Sequence, residues 1–320
     1  MAARRLASFL ATTGLVAGML VVGAHPAGAQ APTEYTVLAG NFIGDERDEL
    51  LWYMPGTGPE YMVGLRLDST GAHQELLGQV TVNGSYRPLV GDFDGDALDE
   101  ILWYAPGVAA DHLWHFTSPS TVQTQALTIN GSYSRPVSGD FTSDGVDDVF
   151  WYAPGSAPDD LWDFNAGGGY TSVARPANGT YIPVAGSFGG DATDDILWYA
   201  PGTAADFGWD FRPGSTAYDP VGYTINATGY RPVSLDRWGD GPGSEDIFWY
   251  APGSAPDYMW NFVGGSYSVT SESVLGDYLT ATGDFFGDGA EDVVFETYDR
   301  TSVWNHTAGG SRVSYTWAVG

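Results

Sequence analysis

The most regular feature of the chain is a run that is apolar at successive positions, Ile101-Leu102-Trp103-Tyr104. It returns as Leu50-Leu51-Trp52-Tyr53, Val149-Phe150-Trp151-Tyr152, Ile196-Leu197-Trp198-Tyr199 and Ile247-Phe248-Trp249-Tyr250, with a worn sixth copy ending in Phe295-Glu296. Counted from Trp52 to Phe295, the steps are 51, 48, 47, 51 and 46 residues. Successive residues of a strand face opposite sides of the sheet, so a strand apolar at every position is covered on both faces. Beyond each run comes a half-apolar segment, Leu113-Trp114-His115-Phe116 in the second copy, whose tryptophan recurs as Trp162, Trp209, Trp260 and Trp304.

The second repeat reads as strands over 86–93, 100–105, 112–117 and 122–129, separated by Gly, Pro, Asn and Asp clusters of the kind that make turns. Nothing of helical length shows a 3.6-residue period. A fixed period near 50 residues signals a solenoid, propeller or array. Sheets covered on both faces select blades stacked about an axis. The first strand begins near Thr36 and the last ends near Ala318, with no strand left over for a shared closing blade. The expected fold is therefore all-β: a β-propeller of six four-stranded blades over 32–320, with seven blades the alternative.

Between the first and second strands lies an acidic loop, fullest in the second repeat: Asp92-Phe93-Asp94-Gly95-Asp96-Ala97-Leu98-Asp99-Glu100. Calcium is a hard cation that takes six to eight oxygens, and carboxylates at alternate positions of a tight loop converge on one centre. With no Cys or His in these loops, soft metals are disfavoured. The loop resembles the calcium loop of FG-GAP (VCBS-type) repeats, which build the integrin-α propeller and many secreted bacterial proteins. The resemblance runs from about Ala39 to the end of the sequence. It implies calcium on Asp92, Asp94, Asp96 and Glu100, with Asp99 a rival for the last role; Ala97 stands where that pattern has Gly.

Carried to the third repeat, the resemblance implies Asp140, Asp144 and Asp148, with Thr142 at the second acidic place; in the sixth it implies Asp284, Asp288 and Asp292, with Phe286 there. The first, fourth and fifth loops depart further: Asn41, Ile43, Asp45 and Glu49; Ser187, Gly189, Asp191 and Asp195; Asp236, Asp240 and Asp246 around an insertion. The competing reading is that the acids cap their hairpins through Asx-turn hydrogen bonds and bind nothing.

Composition narrows the partners. The chain has 320 residues and no cysteine, which excludes a disulfide scaffold and a thiolate site. Its 12 basic residues, all arginine, face 40 acids, for a net charge of −28. That balance supplies no phosphate-neutralising stripe for nucleic acid and no attraction to an anionic membrane. Arg4-Arg5, an apolar stretch to Ala24 and the small-residue patterns Ala27-Gly28-Ala29 and Ala29-Gln30-Ala31 read as a secretory signal over 1–31. The arginine pair leaves a twin-arginine form open, and an uncleaved anchor is the rival. A secreted, extracellular protein without membrane insertion of the mature part is expected.

The loops after the Trp-Tyr strands, and the turns such as Asn83-Gly84-Ser85-Tyr86, fall on the face opposite the acidic loops. There Tyr86, Tyr133, Tyr181 and Tyr230, with Arg87, Arg135 and Arg231, are candidates for docking a protein or carbohydrate ligand. The alternative places these tyrosines between blades. No Gly-x-Ser-x-Gly elbow or His-Glu-x-x-His helix occurs. His112 and His115, three apart on one strand, face opposite ways. Adjacent acids such as Asp147-Asp148 recur in successive repeats, as a structural or metal loop does. The sequence thus favours a calcium-binding, non-enzymatic binding or adhesion module, with a lectin-like propeller as alternative and a secreted hydrolase behind it.

Overall fold

The computed structural model describes residues 35–318 apart from 70, 107–108, 226–227, 242 and 298; the leader reading over 1–31 lies outside these. Twenty-four strands form six four-stranded antiparallel sheets, each contiguous in sequence and ordered first to fourth. Blade one is β1 (Thr36–Gly40), β2 (Glu49–Tyr53), β3 (Glu60–Asp68) and β4 (Gly71–Val80). Blade two is β5 (Arg87–Gly91), β6 (Glu100–Tyr104), β7 (Asp111–Ser118) and β8 (Thr121–Leu127). Blade three is β9 (Val137–Gly139), β10 (Asp148–Trp151), β11 (Asp160–Asn165) and β12 (Gly169–Ala174). Blade four is β13 (Ile182–Gly186), β14 (Asp195–Tyr199), β15 (Asp206–Phe211) and β16 (Tyr218–Tyr223). Blade five is β17 (Arg231–Leu235), β18 (Asp246–Tyr250), β19 (Asp257–Val263) and β20 (Ser266–Glu272). Blade six is β21 (Leu279–Gly283), β22 (Asp292–Glu296), β23 (Arg300–Thr307) and β24 (Ser311–Ala318). The count is six, and no helix occurs among the described residues.

The ring closes because the first strands touch in order, β1 against β5 through to β21 against β1. The second strand of every blade is buried along its whole length, as a strand apolar on both faces requires. The core accordingly lies between blades. One cluster joins Phe93, Tyr104 and Leu113 of blade two to Val149, Trp151 and Trp162 of blade three. Five equivalent clusters fill the remaining interfaces, the closing one pairing Trp52 and Leu65 of blade one with Phe285 and Val294 of blade six. Across that closing interface Gln74 also donates to Glu296 at 3.3 Å and to Thr301 at 3.1 Å.

On one face the loops are held by buried acids. Asp111, Asp159, Asp206 and Asp257 each accept two backbone N–H groups: one from the Ala after the Trp-Tyr strand, one from the segment entering the next blade. Glu60 does the second half of this for Val82. A charged acceptor for two buried donors explains an acid at a place the apolar pattern would not choose. Replacing Asp159 by Ala leaves the N–H groups of Ala153 and Ala177, bonded at 2.7 and 2.8 Å, without partners. Urea unfolding is expected to show about 2 kcal/mol lost in Asp159→Ala and less in Asp159→Asn, which keeps one acceptor.

Candidate functional site

The acidic hairpins all lie on the other face, with the turns between third and fourth strands beside them. Their shape comes from alternating left-handed positions. The fourth loop residue has positive φ in Gly44 (72°), Gly95 (78°), Ser143 (57°) and Gly287 (72°); the sixth does so in Glu46 (68°), Ala97 (69°), Gly145 (84°) and Gly289 (82°). Gly populates this region without penalty, so Ala97 holds the turn against its own preference.

Within each hairpin the acids divide their work. The first is an Asx cap: Asp92 Oδ1 accepts N–H from Gly95 and Asp96, and Oδ2 from Ala97. Asp140 and Asp284 do the same for their loops, so the first acid of each makes the Asx hydrogen bonds of a hairpin cap.

The two acids ending the loop turn opposite ways. Asp99 reaches the preceding blade and accepts N–H from Asn41 at 2.7 Å. Asp147, Asp194, Glu245, Glu291 and Asp48 repeat this contact on Asp92, Asp140, Ser187, Asp236 and Asp284. Burial, then the neighbouring acids of the same ring, raise the carboxyl pKa of Asp48, Asp147 and Glu245. This ring of six inter-blade clasps settles which of Asp99 and Glu100 faces its own loop: Glu100 does, accepting N–H from Phe93 at 2.9 Å.

The equivalents of Glu100 make a graded series. Glu100 Oε1 lies 3.1 Å from His115 Nδ1. Asp148 Oδ2 and Asp292 Oδ2 are buried with no partner, as is Glu49 Oε1. Asp195 spends both oxygens on the N–H groups of Phe188 and Phe211. Asp246 Oδ2 receives Arg237 Nε at 2.6 Å. Burial drives Glu100, Asp148 and Asp292 up to about 9, the pull expected of carboxylates lacking a cation.

Among the described residues, the second hairpin alone brings three acidic or histidine ligand atoms within 4.8 Å of one another. The sets are Asp92, Asp94 and Asp96, and Asp94, Glu100 and His115. Asp94 Oδ1 there has no partner. These oxygens are the donor chemistry that calcium takes. Asp140, Asp144 and Asp148, and Asp284, Asp288 and Asp292, share their hairpins without that convergence, although the orphan oxygens of Asp148 and Asp292 sit in both. In the third, Thr142 Oγ1 is also buried and unpartnered.

His115 is the residue the sequence reading missed. It does face away from His112, yet it enters the acidic loop from β7, the strand alongside. The signal was its place: the residue after each third-strand tryptophan, Asp163, Asp210, Asn261 and Asn305 elsewhere, is polar in every copy.

Of the seven candidates on the opposite face, the tyrosines pack into it, whereas Arg87 and Arg231 are exposed. Tyr133, Tyr181 and Tyr230 are buried, and Tyr86 half-buried, beside the second-strand aromatics of Trp103, Trp151, Trp198 and Trp249. Arg87 donates to Tyr133 O at 2.6 Å, Arg135 to Tyr181 O, and Arg231 to Tyr278 O and Asp277. Each guanidinium thus ties one blade to the next.

Aromatic surface appears instead on the acidic side. Tyr170, Tyr218 and Tyr267, at the start of each fourth strand, stack flat on Trp162, Trp209 and Trp260 at 3.9, 4.2 and 4.1 Å. Those tryptophans are buried, whereas Tyr170 and Tyr267 are exposed.

These features define a six-bladed β-propeller with acidic hairpins and aromatic platforms on one face. No family model and no curated protein matches the chain. Solved structures do. A six-bladed lectin from the fungus Aleuria aurantia, described for its fucose recognition, is 12% identical with a TM-score of 0.56, over 91% of this chain and 97% of that one. A variant of the same lectin in complex with Fucα1-6GlcNAc is 14% identical, with a TM-score of 0.54 and the same coverage. At such identities the likeness is one of fold. The sequence reading of a protein without enzymatic activity is corrected here. A rhamnogalacturonan lyase is among the matched structures, at 13% identity and a TM-score of 0.42, over 93% of this chain and 75% of that one. Among the described residues no helix is long and apolar enough to cross a membrane.

Proposed function

We propose that the protein is a secreted carbohydrate-binding propeller whose acidic hairpins take calcium in the manner of the FG-GAP/VCBS repeats they resemble. The observation that carries the carbohydrate reading is the set of stacked Tyr-on-Trp pairs, which present aromatic faces at repeated positions. An aromatic ring offers a flat apolar face and little side-chain entropy to lose, which suits the C–H face of a pyranose. The lectin with the same architecture is a fucose binder, and that supports the ligand class. The calcium reading is supported by two overlapping sets of converging ligand atoms, Asp92, Asp94 and Asp96, and Asp94, Glu100 and His115. Secretion rests on the leader pattern over 1–31.

The tryptophans themselves are poor probes, since Trp114, Trp162 and Trp209 are buried and their loss would disturb the fold. A glycan array is expected to show saturable binding to one glycan class. Tyr170→Ala with Tyr267→Ala should weaken it about tenfold while the circular dichroism spectrum of the folded protein is kept, an effect of the size aromatic contacts give. An array silent for the unaltered protein would overturn the carbohydrate reading.

A further inference from the structure

The third strand carries a large apolar residue immediately before its tryptophan: Leu113, Leu161, Met259 and Val303, all fully buried. Blade four has Gly208 there. Beside it, between blades four and five, lies a cavity of about 70 Å³ whose lining includes Phe188, Asp195, Asp210 and Tyr223. Tyr223 roofs it, its ring 2.6 Å from where a Gly208 Cβ would stand. Backbone of the two blades closes in beside it: a Cβ on Gly265 would meet Gly189 O at 2.7 Å, and one on Gly190 would meet Gly264 at 2.7 Å. This volume admits a group of a few heavy atoms, about an aminomethyl terminus, and not a whole sugar ring.

The polar lining is acidic. Asp195 accepts a backbone N–H on each oxygen, but the carboxylate of Asp210 and the phenol of Tyr223 have no hydrogen-bond partner among the described residues. The nearest cation, Arg212, is bound to Asp219 through two hydrogen bonds at 2.9 and 2.5 Å. Asp191 and Asp219 are the other charges acting on Asp210, and burial raises its pKa.

Blade five shows what such a corner accepts. Asp246 and Asn261 occupy the places of Asp195 and Asp210, and the guanidinium of Arg237 bonds to both. Arg237 stands where blade four has Phe188, so in blade four the chain supplies an aromatic wall and no cation.

We infer that the cavity between blades four and five receives a protonated alkylammonium group from a ligand, held by the Asp210 carboxylate and the Tyr223 oxygen against the ring of Phe188. Carboxylate and aromatic faces both favour a cation in a site partly withdrawn from water. The bearer is an amino sugar or a lysine side chain. The inference goes beyond the carbohydrate reading and stands apart from it.

The test is calorimetric titration of the calcium-loaded, folded protein with glucosamine and with Nα-acetyl-lysine methylamide. N-acetylglucosamine and the Nε-acetylated lysine serve as neutral counterparts. At least one ammonium probe is expected to bind saturably and its neutral counterpart not. Asp210→Asn should weaken that probe by about tenfold or more, as loss of a charge-assisted bond does. Gly208→Leu, whose Cβ would push the Tyr223 ring from its place, should abolish it; circular dichroism melts of both variants check the fold. Glucosamine binding alone names an amino sugar as bearer, and lysine binding alone a peptide. Neutral probes binding as well as charged ones, or Asp210→Asn binding like the parent, would overturn the inference. So would calcium occupying the site in titration without amine ever competing. A silent glycan array with ammonium binding intact would remove the carbohydrate reading and leave this one standing.

Discussion

Trp151→Ala is expected to lower unfolding free energy by about 3–5 kcal/mol, the range for removing a fully buried indole. For a domain of this size that is a fall in melting temperature on the order of 10 °C. The ring is completely buried at the interface of blades two and three. It meets Tyr104 edge-on at 5.1 Å, Tyr133 at 5.3 Å and Trp162 at 5.2 Å. Its indole N–H has no acceptor, a feature shared by Trp103, Trp198 and Trp249 at the same place. No hydrogen bond is therefore lost on substitution, and the whole effect is packing. That gives the comparison its force: Trp151→Phe should be distinctly milder than Trp151→Ala, because the hole is smaller. Equal losses in the two variants, followed by denaturant melts, would show that a polar contact at the N–H carries the site. Because the six clusters lie between blades, the loss should appear as one cooperative transition and not as melting of one blade.

That the core lies between blades was legible from a single line of evidence. A second strand apolar at both parities, repeated near every 50 residues, leaves little choice but stacked sheets. The strand ends fell within a residue or two of the expected positions, as at β6 and β8. The inter-blade clasps were not legible, although their residues were in view. Asp99 and Glu100 are neighbours, and pattern alone does not say which one turns to its own loop. Only the register, with Gly91 opposite Glu100, sends Glu100 inward and Asp99 across to Asn41. Arg87, Arg135 and Arg231 read as cations on a docking face; that each guanidinium also bonds to a carbonyl of the next blade leaves no trace in the local sequence. His115 was hidden for a related reason. A hairpin read alone shows its own acids, whereas the ligand set also draws on the strand that the sheet lays beside it.

The repeats also differ where their chemistry matters, and one structural position displays the range. The buried acid opening the second strand meets an imidazole in blade two, backbone donors in blade four and a guanidinium in blade five. In blades one, three and six an oxygen stays without a partner. A buried carboxylate in apolar surroundings takes up a proton or finds a cation. Blade five has filled the need from its own chain, through the ion pair of Arg237 with Asp246, and its loop shows the insertion that spoils the calcium spacing. The series separates hairpins where an external cation would relieve the acid from those where the chain has done so itself.

Calcium is accordingly expected to stabilise the protein through the second hairpin first. Asp92, Asp94 and Asp96 crowd negative charge beside the buried Glu100, and a divalent ion bound only to the folded state adds RT ln(1 + [L]/Kd). With free calcium 1,000-fold above Kd, that is about 4.1 kcal/mol for one site. A chelator should therefore lower the melting temperature and calcium restore it. Magnesium should do less, because it demands tighter octahedral geometry and gives up its water reluctantly. Asp94→Ala is expected to remove much of the calcium shift, since Asp94 belongs to both ligand sets and holds an unpartnered oxygen. Asp191→Ala, in the fourth hairpin where Asp195 is already satisfied by backbone, should leave the shift nearly intact. Thermal melts of the three proteins, with calcium, magnesium or chelator, separate the outcomes. An equal loss in both variants would mean that calcium only screens the net charge of −28. No shift in the parent would mean that the acids serve as hairpin caps and inter-blade clasps alone, and the metal assignments in the second, third and sixth hairpins would fall together.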